Sequence, residues 1–367
     1  MSSIPPSLTV VVVNWNGRRW LPRLFDTLLP QLTPYDAEVI LVDNGSSDDS
    51  VPFVHAHYPR VQVVIGDNRG YAAGVNVGLA QARGEYILVL NTDLAFPPSA
   101  VAAMLTAMQS QPGLGLATPV LLTDQGTINT TYGVEPDERA MLTIMLGLQK
   151  RLPALARELV APAREEGPSV EAVPWPMGAC LVVRKAALDQ VGPMDEHFFM
   201  YFEDADWGRR FRQAGWQVAL LRQARVIHSY HGSSSTQAVM QPARWYYGSL
   251  DYYARKHYGR RRAWLLRTIN VLTYIKATVT LWVRSQLPSA APGAIVMNGD
   301  THHKLIYYRS LLQLFRAQRR FNSHDDASSR RVARAMPAPS RAPGRATGAG
   351  KRRGHPGSQS SRRSSAG

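Results

Sequence analysis

The sequence predicts an α/β fold in which a mostly parallel central sheet is covered by helices on both faces. From residue 8 to about residue 109, short apolar runs rich in valine, isoleucine and leucine alternate with segments of helical periodicity. The runs are apolar at consecutive positions, which is typical of strands that are buried on both faces. Helices that separate such strands predict parallel pairing between them.

The elements of this first part follow one another in a regular order. The predicted strands are residues 8–13, 38–42, 61–65 and 86–90. The predicted helices are residues 20–29, 68–82 and 99–109. Gly70, Gly74 and Gly78 share one face of the second of these helices, which permits a close approach to the sheet or to a ligand.

The second part of the chain is less regular. Residues 173–183 predict a further strand, and residues 185–191 predict a short helix. Between residues 127 and 173 the pattern loosens around a helical segment at 139–159 and a connection rich in proline, alanine and glutamate. This insertion is expected to cover a bound acceptor, to touch a membrane, or to pack as a helical hairpin.

Composition places the chain among globular proteins of enzyme size. Its 367 residues are 45% hydrophobic and 19% charged, which is enough to bury one large core or two modest ones. The lone cysteine, Cys180, excludes an intramolecular disulfide and a multi-cysteine zinc site. The first apolar run has no basic leader and is too short for the core of a signal peptide. A cytoplasmic protein is therefore expected.

The formal net charge of +15 is concentrated towards the C-terminal end. Residues 322–367 hold ten Lys or Arg and two Asp, which leaves +8 on this tail and +7 on the remaining 321 residues. The tail has almost no large apolar residue and is predicted to be disordered. It is expected to act as a solubilising extension or to be attracted to anionic lipid headgroups. Aromatic residues do not alternate with its charges, so no specific nucleic-acid partner is expected.

Residues 241–321 are predicted to be helical, aromatic and basic. Within them, residues 263–283 approach the length of a membrane span. Arg267 and Lys276 lie inside that stretch, and a charge at the bilayer centre costs roughly 2.5 to 3.5 kcal/mol on insertion scales, which disfavours spanning. An interfacial or core-packed amphipathic helix is predicted instead. Because three arginines begin it, the stretch 260–285 is a candidate for peripheral contact with the inner face of the plasma membrane.

Asp43 is the first candidate functional residue. It ends a predicted strand and begins a tight polar turn, and the carboxyl ends of parallel strands are where open α/β sheets bind ligands. Its carboxylate could accept the ring N3–H of uracil or thymine, or it could bond a ribose hydroxyl. Alternatively, Asp43 or Asp48 caps the local turn, as Asx residues often do.

A metal site is predicted around Asp93. This residue follows the buried run YILVLNT, and the sequence has neither a glycine-rich dinucleotide loop nor a Walker A loop with which to bind a diphosphate. A divalent ion, Mg²⁺ or Mn²⁺, held by Asp93 would neutralise a diphosphate instead. His228 or His231 could complete the site, because histidine is a frequent metal ligand. A helix-capping role is the alternative for Asp93.

An acidic cluster is predicted to supply a general base. Glu203, Asp204 and Asp206 lie within four residues of one another and next to several aromatic residues. Like charges close to apolar walls raise carboxyl pKa values toward the range that suits a general base. The alternative is a helix that begins with acidic residues and is balanced by the arginines that follow them.

Seven motifs in a fixed order carry a resemblance to a known family. They are VVVNWNG, LVDNGSSDDS, NRGYAAGVNVGL, LVLNTD, GACLVVR, FEDADWGRR and VIHSYHG, and they span about residues 8–235. In this order they resemble glycosyltransferase family 2, in particular its rhamnosyltransferase-like members. The resemblance implies the GT-A fold over residues 1–240, with a donor half at about 1–125 and an acceptor half at about 126–240, followed by the helical region and the basic tail.

The resemblance also implies an inverting, metal-dependent transfer of a sugar from a nucleotide donor in cell-wall polysaccharide synthesis. The likeness favours dTDP-rhamnose, while dTDP and UDP present the same N3–H to Asp43. The expected acceptor is a cell-surface glycan or its lipid-linked precursor.

Two rival functions remain. A sugar-phosphate nucleotidyltransferase would carry a glycine-rich basic loop near its N-terminus, and a non-enzymatic polyanion- or membrane-binding protein would use the positive charge.

Donor-binding roles carry over by resemblance, position by position. Asp43 resembles the aspartate that recognises the base. Asp93 resembles the last residue of the family's D-x-D-like metal element, in which Asn91 replaces the first aspartate. The donor-nucleotide candidates are Asn14, Asp43, Asn44, Arg69, Asn91 and Asp93.

Catalytic roles carry over in the same way. Asp204 resembles the catalytic base of an E-D pair, and His228 resembles a late metal-binding histidine, with His231 as its alternative. Arg210 is expected either to support the diphosphate or to hold the acidic loop. The supporting candidates are Glu203, Asp206 and Arg210.

Overall fold

The computed structural model describes residues 7–129, 131–146, 148, 167–229 and 240–286. Within these residues a mixed sheet with a parallel central part lies between helices on its two faces, so the α/β prediction is confirmed. The strands are β1 Leu8–Asn14, β2 Ala37–Asn44, β3 Gln62–Gly66, β4 Tyr86–Asn91, β5 Leu94–Ala95, β6 Leu114–Leu122, β7 Tyr132–Gly133, β8 Val170–Ala172, β9 Trp175–Pro176, β10 Cys180–Arg184 and β11 Gln217–His228. The helices are α1 Leu21–Leu32, α2 Ser50–His57, α3 Tyr71–Leu79, α4 Ala100–Ser110, α5 Glu138–Leu146, α6 Lys185–Val191, α7 Glu203–Gln213 and α8 Met240–Gln286.

Strand order brings the ends of three parallel strands to one edge. Over the described part of the chain, nine strands form one sheet in the order β3-β2-β1-β4-β10-β6-β11-β5, with β8 paired to β11 beside this path. The first four strands of that order are parallel to one another. β10 is antiparallel to β4 and β6, whereas β11 is parallel to β6. The carboxyl ends of β1, β2 and β4 therefore lie side by side.

The central strand β1 divides the core between the two faces of the sheet. Val10 and Val12 pack in the cluster that contains the apolar residues of α1 and α4. Val11 and Val13 pack in the cluster on the other face, with residues of α3, α6 and α7. Because successive strand residues point to opposite faces, one run of valines serves both cores.

Two glycines of α3 set how closely this helix approaches β1. A Cβ added at Gly78 would lie 2.2 Å from Cγ1 of Val11, and one added at Gly74 would lie 3.0 Å from Cγ1 of Val13. Of the two roles that the sequence leaves open, these glycines serve the packing of helix against sheet. Gly70 precedes the helix, which begins at Tyr71 rather than at residue 68.

The strand predicted at residues 173–183 is wrong as a single element. Its residues are divided between β9 and β10, and β8 ends at Ala172, just before the predicted range. Pro174 and Pro176 lack the backbone N–H that a continuous ladder requires, so the run is broken around them. The sequence analysis also missed β6, in which Gly115 and Pro119 interrupt the apolar pattern.

The described part of the insertion at residues 127–173 packs against α8. The Tyr258 hydroxyl donates a hydrogen bond of 3.0 Å to Glu135, which precedes α5. Within α5, Glu138 forms an ion pair of 2.7 Å with Arg262. The helix predicted at 139–159 is thus confirmed in its first turns, and its remaining part lies largely outside the described residues.

The last described element, α8, is interrupted at Gly259, whose φ of 80° is not helical. Before this break, Leu250 and Tyr253 pack with Phe198 and Phe202 in an aromatic cluster. None of the helices that the structure describes combines the length and the apolar character required to cross a membrane. The predicted basic tail at residues 322–367 lies outside the described residues.

Candidate active site

The carboxyl ends of β1 and β2 hold two buried polar side chains that contact each other. Asn14 lies opposite Asp43 in the parallel register, and its Nδ2 donates a hydrogen bond of 2.7 Å to Asp43 Oδ2. The backbone N–H of Ser46 donates to Asp43 Oδ1 at 2.9 Å. Oδ1 of Asp43 is thus engaged in the turn, as its capping alternative predicts, whereas Oδ2 is bonded to β1. A carboxylate has further lone pairs, which a nucleobase N–H could use.

One polar atom at this edge lacks a partner. Asn14 Oδ1 is buried, with no hydrogen-bond partner among the residues that the structure describes. It faces Gly17, where an added Cβ would lie 2.4 Å from Asn14 Oδ1 and 2.8 Å from Thr92 Oγ1. The chain thus passes close to the end of β4 without a side chain. A buried acceptor without a partner is costly, so its presence here favours a polar ligand.

Asn44 and Arg69 flank this edge in different ways. Asn44 is buried, and its Nδ2 donates hydrogen bonds to the carbonyl of Gly70 at 3.0 Å and to Asn68 Oδ1 at 3.2 Å. Asn44 therefore holds the loop that precedes α3. Arg69 projects from that loop, is largely exposed, and forms an ion pair of 3.3 Å with Glu196. Binding of donor by either residue stays a prediction.

The structure brings Asp93 and His228 together. His228 ends β11, which pairs with β5 directly after Asp93, so His228 lies opposite Leu94. The distance from His228 Nε2 to Asp93 Oδ1 is 3.4 Å, and both side chains are largely buried. Ser229 adds a backbone hydrogen bond of 2.9 Å to the carbonyl of Asp93. Asn91 lies half-buried at the end of β4, and His231 lies outside the described residues.

This pair fits a divalent cation that a substrate helps to bind. One carboxylate and one imidazole are hard or intermediate ligands that suit Mg²⁺ or Mn²⁺. Across the described residues there is no group of three or more His, Cys, Asp or Glu that could hold a metal ion. Asp93 and His228 would therefore leave coordination positions for the oxygens of a bound diphosphate.

The end of β11 is anchored beyond the histidine. The Ser229 hydroxyl donates to Asp124 Oδ1 at 2.9 Å, and Arg23 of α1 donates to the Ser229 oxygen at 2.9 Å. Arg23 also forms an ion pair of 2.5 Å with Asp124. These contacts fix the residue next to His228 from two directions.

Asp204 lies at the start of α7, buried and held by two backbone groups. The N–H of Gly178 donates to Asp204 Oδ2 at 2.9 Å, and the N–H of Ala205 donates to Oδ1 at 2.8 Å. Burial raises the pKa of Asp204 to about 6, although these two hydrogen bonds favour its ionised form. A carboxylate with this pKa is ionised at neutral pH and is a stronger base than an exposed aspartate.

Glu203 is the neighbour of Asp204 and is also buried. Its Oε2 is buried and has no hydrogen-bond partner in the described part of the chain. Burial, followed by the negative charge of Asp204, raises the pKa of the Glu203 carboxyl well above its usual value. The ionised form of Glu203 is therefore disfavoured beside the Asp204 carboxylate.

Asp206 is engaged in an ion-pair network with the end of the first half of α8. It is fully buried and contacts Arg210 Nε at 2.8 Å, His257 Nε2 at 2.7 Å and Lys256 Nζ at 2.6 Å. Burial opposes its ionisation, but the bonds to His257 and Lys256 and the charge of Arg210 outweigh it, so the pKa of Asp206 is lowered. Arg210 thus holds the acidic helix, which is the second of its two expected roles.

A strained aromatic loop leads into the acidic helix. Tyr201 and Phe202 have φ values of 70° and 67°, a left-handed conformation that costs non-glycine residues about 1–3 kcal/mol each. The same loop contacts the residues at the start of α3. The N–H of Tyr71 donates to the carbonyl of Phe199 at 2.7 Å, and a Cβ at Gly70 would lie 2.4 Å from that carbonyl oxygen. The loop before α3 and the acidic helix are therefore joined directly.

Sequence reasoning missed Lys256 and His257 as residues that support the acidic helix. Both lie in a region that reads only as aromatic and basic, and their partner Asp206 is about fifty positions earlier. It also missed Tyr71, whose hydroxyl donates to the carbonyl of Gly178 at 2.7 Å beside Asp204. Aromatic residues close to the acidic motif were the only signal for these contacts.

The chain is similar in sequence to known glycosyltransferase families and proteins. The family described as glycosyl transferase family 2 matches residues 9–144, and the one described as glycosyl transferase family group 2 matches residues 166–308. The N-acetylglucosaminyl-diphospho-decaprenol L-rhamnosyltransferase of Mycobacterium tuberculosis strain H37Rv is 32% identical over 280 residues, which cover 71% of this chain and 89% of that protein. The low-salt glycan biosynthesis hexosyltransferase Agl10 of Haloferax volcanii is 26% identical over 226 residues, 60% of this chain and 67% of its own.

Solved structures share the fold at low sequence identity. The mannosyltransferase PcManGT from Pyrobaculum calidifontis, in complex with GDP-Man and Mn²⁺, superposes with a TM-score of 0.52 at 16% identity and covers 84% of this chain and 86% of that one. GalNAc-T7 with UDP, GalNAc and Mn²⁺ gives a TM-score of 0.50 at 15% identity and covers 88% of this chain and 58% of its own.

Proposed function

We propose, from the premise that this chain belongs to glycosyltransferase family 2, that it transfers a rhamnose with inversion from a nucleoside-diphosphate donor to a lipid-linked saccharide. The chain is a rhamnosyltransferase-like glycosyltransferase of the GT-A fold. The observation that carries the mechanism is the buried Asp204 carboxylate, held by the backbone N–H groups of Gly178 and Ala205. A nucleotidyltransferase is no longer proposed, because the matched families are glycosyltransferases.

In this mechanism Asp204 is the general base. It accepts the proton of an acceptor hydroxyl while the hydroxyl oxygen bonds to the anomeric carbon. The bond between that carbon and the donor diphosphate breaks on the opposite side, so a single displacement inverts the anomeric centre. Burial and the charge of Asp204 raise the pKa of Glu203 and so disfavour a second negative charge beside Asp204.

Asp93 and His228 would hold a divalent ion, Mg²⁺ or Mn²⁺. When bound, the ion supplies positive charge that stabilises the departing diphosphate. The chain's own contribution is to fix both ligands. Ser229 ties the end of β11 to the backbone of Asp93, and Arg23 and Asp124 hold Ser229 in place.

Asp43 is proposed to recognise the donor base through its N3–H. Its carboxylate is oriented by Asn14 and Ser46, and the unpartnered Asn14 Oδ1 offers a further acceptor at the same edge. Thymine and uracil both carry this N3–H. dTDP-rhamnose is preferred because the relative from Mycobacterium tuberculosis is named as an L-rhamnosyltransferase.

The acceptor is proposed to be a saccharide on a prenyl diphosphate, as in the name of the same relative. Such an acceptor lies in a membrane, so the reaction would take place on the inner face of the plasma membrane. The division into a donor half at residues 1–125, an acceptor half at 126–240, a helical region at 241–321 and a basic tail is part of this proposal.

The proposal is tested by calorimetry of the purified protein with dTDP, UDP and GDP, each with and without Mn²⁺. Binding of one pyrimidine diphosphate that depends on Mn²⁺ is expected. Transfer is then followed by mass spectrometry with dTDP-rhamnose and an N-acetylglucosaminyl prenyl diphosphate. A folded protein that binds none of the diphosphates would contradict the proposal.

A further inference from the structure

The helical segment α8 changes character at Gly259. Before this break its buried residues pack against the loop that leads into α7. After the break it leaves large apolar side chains exposed, among them Trp264, which is 67% exposed. We call these residues the apolar stripe: Trp264, Leu265, Leu272, Ile275 and Val279.

The apolar stripe forms one face of the helix. At 100° per residue its five members fall within a sector of roughly 100°. Ala263 and Leu266, which are buried, lie on the opposite side, and the buried Ile269 lies at the edge between the two faces. The helix is therefore packed against the protein on one face and presents a continuous apolar face on the other. Exposed apolar surface of this kind marks a site of interaction.

The charges around the apolar stripe indicate what it binds. Residues 260–286 contain six Lys or Arg and no Asp or Glu. Arg262 is balanced by Glu138, whereas Arg260 and Arg261 are exposed at the start of the helix. An apolar face with cations and a tryptophan at its border is the arrangement of helices that lie in the interface of an anionic bilayer.

Other occupants fit this charge less well. A second copy of the chain would place two cationic helices together. Residues 287–321 carry five Lys or Arg and one Asp, so that segment would also repel the helix. Nucleic acid would match the charge but offers no apolar layer for leucine, isoleucine and valine side chains.

We propose that the apolar stripe and the arginines at 260 and 261 form a docking surface for a bilayer that contains anionic phospholipids. This deepens the proposed function, because it names the surface by which an enzyme with a lipid-linked acceptor reaches the membrane. The surface is continuous with the catalytic part of the protein. Lys256 and His257, just before Gly259, hold Asp206 on the helix that carries Asp204.

Sedimentation of the full chain with vesicles tests this surface without donor or acceptor, so its failure is separate from a failure of the proposed function. Vesicles of phosphatidylcholine with about one-third phosphatidylglycerol are compared with pure phosphatidylcholine. Salt at about 0.5 M suppresses attraction by the basic tail while leaving apolar insertion intact. The test variant is Trp264→Ser/Leu272→Ser/Ile275→Ser. The matched control is Ile65→Ser, which removes an equally exposed apolar side chain from β3.

The triple variant is expected to partition to anionic vesicles at least about tenfold less than the parent at high salt, whereas Ile65→Ser is unchanged. Arg260→Gln/Arg261→Gln should reduce the preference for anionic over neutral vesicles. Brominated lipids should quench a tryptophan signal that disappears in Trp264→Phe. Equal binding of parent and triple variant, with both folded by thermal unfolding, would overturn the proposal. So would light scattering that shows a dimer in the parent and a monomer in the triple variant.

Discussion

Asp206 and His257 form a buried hydrogen bond of 2.7 Å that joins the acidic helix to the C-terminal helical segment. Lys256 contacts the same carboxylate and also bonds Asp195 at 2.7 Å, ahead of the aromatic loop. One turn of α8 thus holds both the approach to the acidic helix and the helix itself. The C-terminal segment is therefore part of the structure that positions Asp204.

Asp204→Asn is expected to lower kcat by about a hundredfold or more, because an amide cannot accept the acceptor's proton. Affinity for the donor should change little, since Asp204 is bonded to backbone groups of the acidic helix and of Gly178. Steady-state kinetics and calorimetry measure the two effects. Asp189→Asn, at an exposed carboxylate, is the control. Near-normal turnover in Asp204→Asn would remove it as the base.

The rate of transfer should fall in acid, because Asp204 becomes protonated and can no longer act as a base. The pKa of this carboxyl is raised to about 6, so kcat/KM is expected to drop about tenfold per pH unit below pH 6. Because burial and the charge of Asp204 raise the pKa of Glu203 and disfavour its ionised form, Glu203→Gln should retain most of the rate and the same fall of kcat/KM in acid. A Glu203→Gln variant with no activity would show instead that Glu203 acts as an ionised group.

Asp93→Ala is expected to abolish the dependence of donor binding on Mn²⁺, because the variant loses the only carboxylate of the His228 pair. His228→Ala should weaken that dependence as well, since only Asp93 of the two proposed ligands would remain. Calorimetry with dTDP or UDP, with and without Mn²⁺, measures both. His55→Ala, at an exposed histidine of α2, serves as control. Unchanged Mn²⁺-dependent affinity in both variants would contradict the metal site.

Asp206→Asn should destabilise the protein by up to about 3–5 kcal/mol at neutral pH, because it leaves buried cations without their counter-charge. The pKa of Asp206 is lowered below 3.8, so its stabilisation is full above that value and is lost as the pH falls through the lowered pKa. The difference between variant and parent should therefore shrink in acid. Denaturant unfolding across pH measures it, with Asp251→Asn as a surface ion-pair control.

Gly78→Ala is expected to destabilise the fold by about 1–3 kcal/mol, although alanine favours helices, because its Cβ would overlap Val11. Adding Val11→Ala should recover part of this loss. Gly66→Ala, where an added Cβ meets no atom within 4 Å, is the control. Thermal unfolding that ranks Gly78→Ala equal to Gly66→Ala would show that α3 can shift away from the sheet.

The first half of the fold could be predicted because its strands are buried on both faces, which leaves an unbroken apolar run such as that of β1. The second half could be predicted only in part, because proline or glycine interrupts or separates several of its strands. Pro119 lies inside β6, and Pro174 lies between β8 and β9. In these strands the pairing partner, rather than the local sequence, decides the structure.

The residues of the candidate site could likewise be predicted only in part. Asp43, Asp93 and Asp204 could be found because each stands beside a recognisable strand or acidic motif. Lys256 and His257 could not, because their role depends on a contact with a distant residue, and one sequence does not show which surfaces meet.

The close contact between Gly70 and the carbonyl of Phe199 bears on the construction of hybrid enzymes. An N-terminal segment that includes α3 and is grafted from a relative would have to bring a glycine at this junction, since any Cβ would strike the backbone of the resident aromatic loop. Exchange of sugar specificity by recombination is therefore expected to succeed only when the loop before α3 and the loop before α7 are inherited from the same parent.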